Sequence, residues 1–194
     1  MDATQLRSTA AEHRYLRGLI QVPIGLLFVA AALGNEHWGP LDDDWVFIAV
    51  MVLLAGAAWA INRFYDEHYG RVTPTADREA KAIGTALIGA AVLFGAALLL
   101  RSRADWSLDL PVNPIPGVFG LLMLAYSATV VTLRPHHVVI WGSLAVAGLL
   151  PVWSGDDPSN AGLVMCGVAV MVNGVLDHLT IVRTLGPATL PADG

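Results

Sequence analysis

The polar side chains that could do chemistry in this sequence are concentrated near the end of its last apolar run. Asn173, Asp177 and His178 follow a long stretch of valine, alanine, glycine and methionine. At 100° per residue, Asn173 and Asp177 share one face of a helix and His178 lies on the neighbouring stripe. A carboxylate inside a membrane is costly unless it is paired. The pattern therefore predicts either a group that binds a proton or a ligand, or a polar pair that locks this helix to its neighbours, which is the simpler reading.

The opposite face of that helix is aliphatic, and it carries Val164, Val168, Val172, Val175 and Leu179. In lipid, helices pack through small residues and turn their polar groups toward the bundle interior. We therefore expect the polar face of this helix to point inward and its aliphatic face to meet lipid.

The histidines form a second set of candidates, because imidazole and carboxylate groups can hold a proton or a metal ion. His136 and His137 are adjacent and are expected to diverge on a helix, and no H-x-x-x-H, H-E-x-x-H or C-x-x-C spacing is present. The sequence therefore predicts no specific metal, and histidines solvated at the membrane interface are the alternative. The candidate partners of Asp177 are His178, Arg183, His136, His137 and Arg63.

A third candidate surface lies between residues 62 and 72, where aromatic and charged residues are densest. Tyrosine and phenylalanine would anchor this segment among lipid headgroups, and its basic residues would meet anionic lipid. The alternative is a docking surface for a cytoplasmic protein. Its candidate residues are Arg63, Tyr65, Asp66, Glu67, His68 and Tyr69.

Signatures of catalysis and of cofactor binding are missing from the sequence. It has no nucleophile paired with a base, no phosphate-binding loop and no cofactor motif. Cys166 is the single cysteine and lies in an apolar run, so it reads as a small buried residue that cannot form an intrachain disulfide. We predict no catalytic residue and no cofactor.

The composition is that of a membrane protein. Of the 194 residues, 55% are hydrophobic and only 14% are charged, and the mean hydropathy is +0.59. A soluble domain carries about 25% charged residues, so this chain has too few to cover a surface that faces water. The net charge of -5 argues against a nucleic-acid partner, which would need a clustered basic surface.

Six apolar stretches approach the roughly 20 residues that a helix needs to cross a bilayer. They predict an all-α fold, a polytopic membrane helical bundle arranged as three hairpins in a single transmembrane domain over 1–194. The first stretch could instead be a cleavable signal peptide, which would leave five spans. The predicted spans are about 18–34, 45–61, 82–100, 115–133, 138–153 and 161–179.

The orientation of these spans follows from lysine and arginine, which are enriched on the cytoplasmic side. Nine basic residues fall on the side of both termini, and only Arg101 and Arg103 fall on the other. Tryptophans and acidic residues collect in the outer turns. We therefore expect both termini in the cytoplasm and localisation to the cell membrane.

Two segments carry a resemblance to known proteins. Tyr65-Asp-Glu-His-Tyr-Gly-Arg-Val72 and Gly174-Val-Leu-Asp-His-Leu-Thr-Ile-Val-Arg183 resemble segments of small, uncharacterised multi-pass bacterial inner-membrane proteins. The resemblance covers about a tenth of the chain. It implies a bacterial inner-membrane setting and no particular activity.

Three functions agree with these features. The first is a non-catalytic accessory, sensory or assembly protein, with a protein partner or a second copy of itself. The second is a small transporter or channel with a polar path near Asn173 and Asp177. The third is a membrane enzyme that uses the histidines and carboxylates of the cytoplasmic face.

Overall fold

The computed structural model describes residues 17–69, 79–85, 87–89, 91–92, 95, 114–148 and 158–185. Within these ranges every regular element is helical, as the sequence predicts. Further helical residues lie between 79 and 95, and short 3-10 turns occupy Gly18–Ile20 and Gly39–Asp42. The main helices are α1 (Gln21–Asn35), α2 (Asp44–Tyr69), α3 (Pro114–Thr129), α4 (Pro135–Ala147) and α5 (Pro158–Leu185).

The starts of the helices have local causes. α3, α4 and α5 each begin at a proline, whose fixed φ suits the first turn and whose missing N–H is not needed there. Before α2, the Asp43 carboxylate accepts a hydrogen bond of 2.8 Å from the Trp45 backbone N–H. This caps one of the donors that the first turn of a helix leaves unpaired.

Within the described residues, three helical stretches are long and apolar enough to cross a membrane, which indicates a membrane protein. They are Gly18–Asn35, Asp44–Tyr69 and Asn160–Arg183, with mean hydropathies of 1.7, 2.1 and 1.6. The apolar helix Ile115–Thr129 is shorter. The predicted spans 82–100 and 138–153 fall partly outside the described residues.

Among the described residues, α1 and the 3-10 turn that precedes it pack closely and antiparallel against α5. Gly18 lies against the backbone of Gly174, and Gly25 lies against the backbone of Gly167. A Cβ atom on Gly167 would lie 2.6 Å from the carbonyl oxygen of Gly25, closer than real contacts allow. Small residues let helix backbones approach in this way in membranes.

The remaining packing brings several helix ends together. Tyr65 of α2 packs with Val130 and Val131, which follow α3, and with Ile181 near the end of α5. A second cluster joins Trp141 of α4 to α5 around Cys166 and Val170. We call the region that holds the start of α1, the end of α2, the start of α4 and the end of α5 the polar end of the bundle.

The two faces of α5 divide as the sequence pattern predicts. Asn173 and Asp177 are buried, and Cys166 is buried on the same side. On the other side Val168, Val172, Val175 and Leu179 are exposed, and Val164 is half-buried.

Candidate functional site

A cluster of five polar side chains, here called the polar centre, lies at the polar end of the bundle. α5 contributes two of them one turn apart, α4 contributes two adjacent residues of its first turn, and α1 contributes its first residue. Three helices that are distant in sequence therefore meet at one carboxylate. The members are Gln21, His136, His137, Asn173 and Asp177.

Both histidines reach the same carboxylate oxygen. The Nε2 atoms of His136 and His137 each lie 3.0 Å from Oδ1 of Asp177, and their ring centroids are 4.3 Å apart. The expectation that these adjacent side chains diverge is therefore wrong. Neighbours on a helix are about 100° apart rather than opposite, so a carboxylate that approaches between them is within reach of both.

The second oxygen of the carboxylate receives two side-chain amides. Nδ2 of Asn173 donates to Oδ2 of Asp177 at 2.9 Å, and Nε2 of Gln21 donates to the same oxygen at 3.4 Å. Asn173 Nδ2 also donates to Gln21 Oε1 at 3.0 Å. With the two imidazoles, Asp177 has four donors, which matches the four lone-pair sites of an ionised carboxylate.

The position of the proton on His137 follows from its other ring nitrogen. The backbone N–H of Arg134 donates to Nδ1 of His137 at 3.3 Å, so Nδ1 acts as an acceptor. A neutral imidazole with an acceptor at Nδ1 carries its proton at Nε2. The Nε2–H of His137 therefore donates to Asp177.

Exposure distinguishes the members of the centre. Asp177 is 2% exposed, Asn173 3% and His137 1%. The side chain of His136 is 19% exposed, so this imidazole connects the carboxylate to the surface of the bundle.

The same atoms have the composition of a three-ligand metal site. One atom each from His136, His137 and Asp177 lie within 4.8 Å of one another. A histidine that binds a metal through Nε2 must free that nitrogen of its proton, and it normally donates its Nδ1–H to an acceptor. Nδ1 of His137 faces a donor, the Arg134 N–H, so the hydrogen bonding favours a proton at Nε2 over a metal ion.

His178 lies outside the polar centre, although it follows Asp177 in sequence. Its Nδ1 shares a hydrogen bond of 2.8 Å with Oη of Tyr65, and that oxygen also accepts the Leu19 N–H at 3.3 Å. Tyr65 is fully buried. The expectation that Tyr65 anchors the segment among lipid headgroups is wrong, because its ring and hydroxyl face the helix interfaces.

Gln21 and Arg17 make polar contacts with other helices, but the sequence pattern did not identify either as a site residue. Gln21 joins the polar centre, and the available signal was a polar amide in an apolar span. Arg17 binds Asp66 at 2.7 Å and Asn62 at 2.7 Å, and its guanidinium lies 5.9 Å from the Tyr65 ring centroid. Because Arg17 precedes α1 and its partners lie on α2, sequence spacing alone gave no signal for it.

The other candidates on α2 do not join the centre. Arg63, Glu67 and His68 are exposed, and Asp66 and Tyr69 are half-buried. Among the described residues, the hydrogen bonds to Asp177 come from the polar centre and not from Arg63, Arg183 or His178.

No family model, curated protein or solved structure matches the chain.

Proposed function

We propose that this chain is a multi-pass protein of the bacterial inner membrane that responds to protonation of its polar centre. In this proposal six spans form three hairpins, and both termini are cytoplasmic. The protein acts as a non-catalytic sensory or accessory component. The main support for the proposal is that the imidazoles of His137, which is buried, and His136, which is partly exposed, both contact one oxygen of the buried Asp177 carboxylate.

A proton is the ligand that suits these bonds best. Asp177 is hydrogen-bonded to four side chains, and one of them, His136, is partly exposed at the surface of the bundle. A proton taken up by His136 gives an imidazolium next to the carboxylate, so the buried negative charge is paired with a positive one. Tyr65 and His178, which are also titratable, hydrogen-bond to each other and not to Asp177.

Protonation has a structural readout because the centre links three helices. If the carboxylate itself takes the proton, it loses one acceptor site and gains a donor. The longest of its four bonds is that from Gln21, at 3.4 Å, and this is its link to α1. A proton that passes from His136 to the carboxylate therefore weakens the Gln21 bond first, and this change at the contact between α1 and α5 is the kind of two-state element that a sensor needs.

The test is proton binding by the purified protein in nanodiscs, with ¹⁵N-labelled histidine rings followed by NMR over about pH 5 to 8, where imidazole titrates. We expect His137 to show the Nε2–H tautomer. The change His136→Gln should abolish one reversible proton-binding step. The matched control is His68→Gln, which removes an exposed histidine of α2 and should leave that step intact.

Two results would contradict the proposal. The first is unchanged proton uptake in the folded His136→Gln protein. The second is a tetrahedral Co²⁺ absorption spectrum that appears in the native protein and is lost in Asp177→Asn. That spectrum would make the polar centre a metal site.

A further inference from the structure

A second polar feature lies on α2, away from the polar centre. It is a cavity of about 430 Å³, lined within the described residues by Trp59, Asn62, Arg63, Asp66 and Glu67. These positions fall on one face of α2 at helical spacing. The inference below depends on the membrane placement in the proposed function and does not depend on proton binding.

The cavity offers both signs of charge next to an aromatic ring. Nε of Arg63 donates to Glu67 at 2.7 Å, and the guanidinium carbon lies 5.9 Å from the Trp59 ring centroid. Arg63 and Glu67 are 65% and 55% exposed. A guanidinium has five N–H donors, so Arg63 can bind an anion while it keeps Glu67.

The cavity lies where lipid headgroups would be. Trp59 is in the last turn of the apolar part of α2, and Asn62 begins the polar part. Trp59 is 65% exposed, as suits a tryptophan at the boundary between hydrocarbon and water. A ligand there would meet the ring at its apolar end and the charged groups at its polar end.

The charges around the cavity determine which kind of lipid headgroup it can bind. Arg63 pairs with Glu67, and Asp66, which also lines the cavity, pairs with Arg17, so the described charges around the cavity balance. A purely anionic headgroup would meet Arg63 with Glu67 beside it and would find no net positive charge to attract it. A headgroup with a phosphate and a primary ammonium meets both signs.

We propose that this cavity binds the headgroup of phosphatidylethanolamine. Its phosphate is held by Arg63 and its ammonium by Glu67, and its glycerol region lies against Trp59. This differs from the anionic lipid that the sequence predicts for the segment, because the carboxylates share the surface with the arginine.

The test is retention of lipid by the whole protein, measured by native mass spectrometry after release from nanodiscs that hold equal amounts of phosphatidylethanolamine, phosphatidylglycerol and phosphatidylcholine. We expect phosphatidylethanolamine to be retained in preference. Glu67→Gln should lower its ratio to phosphatidylglycerol by about threefold, the scale of an exposed ion pair. Arg63→Gln should lower retention of both zwitterionic lipids.

The control is Arg183→Gln, which removes an exposed arginine at the end of α5 and should change nothing. Preferential retention of phosphatidylglycerol, or a ratio unaffected by Glu67→Gln, would overturn the proposal. So would equal retention of phosphatidylcholine and phosphatidylethanolamine, because choline has no N–H for Glu67. His136→Gln should leave the lipid ratio unchanged, so this proposal and the proton proposal fail separately.

Discussion

Asp177 shows how a charged side chain is accommodated in an apolar bundle. An isolated ionised carboxylate in such surroundings is strongly unfavourable. Here it is 2% exposed, yet each of its oxygens accepts two hydrogen bonds. The donors come from α1, α4 and α5, so the cost of burying the charge is offset only when these helices are assembled.

Replacing Asp177 by asparagine tests this dependence. The amide keeps one acceptor oxygen but places an NH₂ group against two of the four donors. We expect a loss of about 1–3 kcal/mol in the free energy of unfolding, the cost of leaving buried polar groups unpaired. The free energy of unfolding is measured in mixed detergent, with circular dichroism used to monitor the loss of helix.

The matched control is Ser127→Ala. Ser127 is also buried, but its hydroxyl donates to the Met123 carbonyl within its own helix at 2.7 Å. Its loss should cost less than half as much as the loss of the Asp177 charge. Equal effects of the two changes would mean that Asp177 does not link the helices.

The sequence predicted the burial of this carboxylate and gave five candidate partners, of which His136 and His137 bind it and His178, Arg183 and Arg63 do not. Asn173 and Asp177 share a face of α5 because helical periodicity places them there. The convergence of His136 and His137 depends on where the first turn of α4 lies beside α5, which no local pattern encodes. The same holds for Tyr65, whose burial comes from contacts with α5 and with the residues after α3.

At the scale of helices, the contact between α1 and α5 is set by glycine. The two contacts, Gly18 with Gly174 and Gly25 with Gly167, are seven residues apart in the helical stretch Gly18–Asn35 and on α5. On α5 seven residues are close to two helical turns, so Gly167 and Gly174 lie on one face. This close approach brings Gln21 within reach of Asn173.

Gly167→Ala should therefore separate α1 from α5. The added Cβ would lie 2.6 Å from the Gly25 carbonyl oxygen, and backbone cannot give way as a side chain can. We expect a destabilisation of about 1–3 kcal/mol from overpacking, measured by unfolding in detergent. Gly142→Ala on α4 is the control, since a Cβ there meets nothing within 4 Å among the described residues. A tolerated Gly167→Ala would show that the interface is loose.

The turn between α1 and α2 provides a pH-dependent contact outside the membrane-spanning helices. His37 adopts a left-handed φ of 51° and forms an ion pair with Asp42. The hydrogen bond and the negative charge of Asp42 raise the pKa of His37 above its ordinary value of 6.5. A raised pKa means that the folded state binds this proton more tightly than the unfolded state does.

The stabilisation from this pair is thus fully present below pH 6.5 and is lost as the pH rises through the raised pKa of His37. An NMR titration of the His37 ring should show the upward shift. Asp42→Asn should return the pKa to its ordinary value, while Asp43→Asn, which removes the neighbouring cap of α2, should leave it raised. A His37 pKa at or below 6.5 in the native protein would exclude the pair.

Helix starts were the part of the fold most open to prediction. Proline and aspartate mark the starts of α2 to α5, because their local chemistry acts without tertiary contacts. Helix ends and lengths were harder. The fifth predicted span, 138–153, begins three residues late, because Pro135, His136 and His137 are polar or helix-starting residues that hydropathy excludes although α4 includes them.

At the scale of the whole molecule, the exposed surface is strongly apolar. Within α2 only Tyr65 is buried, and large side chains such as Met51, Val52 and Leu53 are exposed. Water does not tolerate such a surface in a monomeric soluble protein, whereas lipid does. The described charges lie mainly toward the helix ends, which leaves an apolar band between them.

The proposed topology is tested with single cysteines, and the native chain is a favourable starting point. Its one cysteine, Cys166, is buried and should react little with thiol reagents. With Cys166→Ala as background, Asp43→Cys places a thiol in the predicted outer turn, and His68→Cys places one at the predicted cytoplasmic end of α2. Both native side chains are exposed, so accessibility is matched.

A membrane-impermeant maleimide added to intact cells should label Asp43→Cys and spare His68→Cys until the membrane is permeabilised. This outcome follows from the nine basic residues on the side of the termini, which are retained in the cytoplasm. Labelling of His68→Cys in intact cells would show that the topology is the reverse of the proposed one. The partly exposed edge of His136 would then face the outside. The proton that the polar centre responds to would in that case be the external one, so the orientation decides which compartment the protein senses.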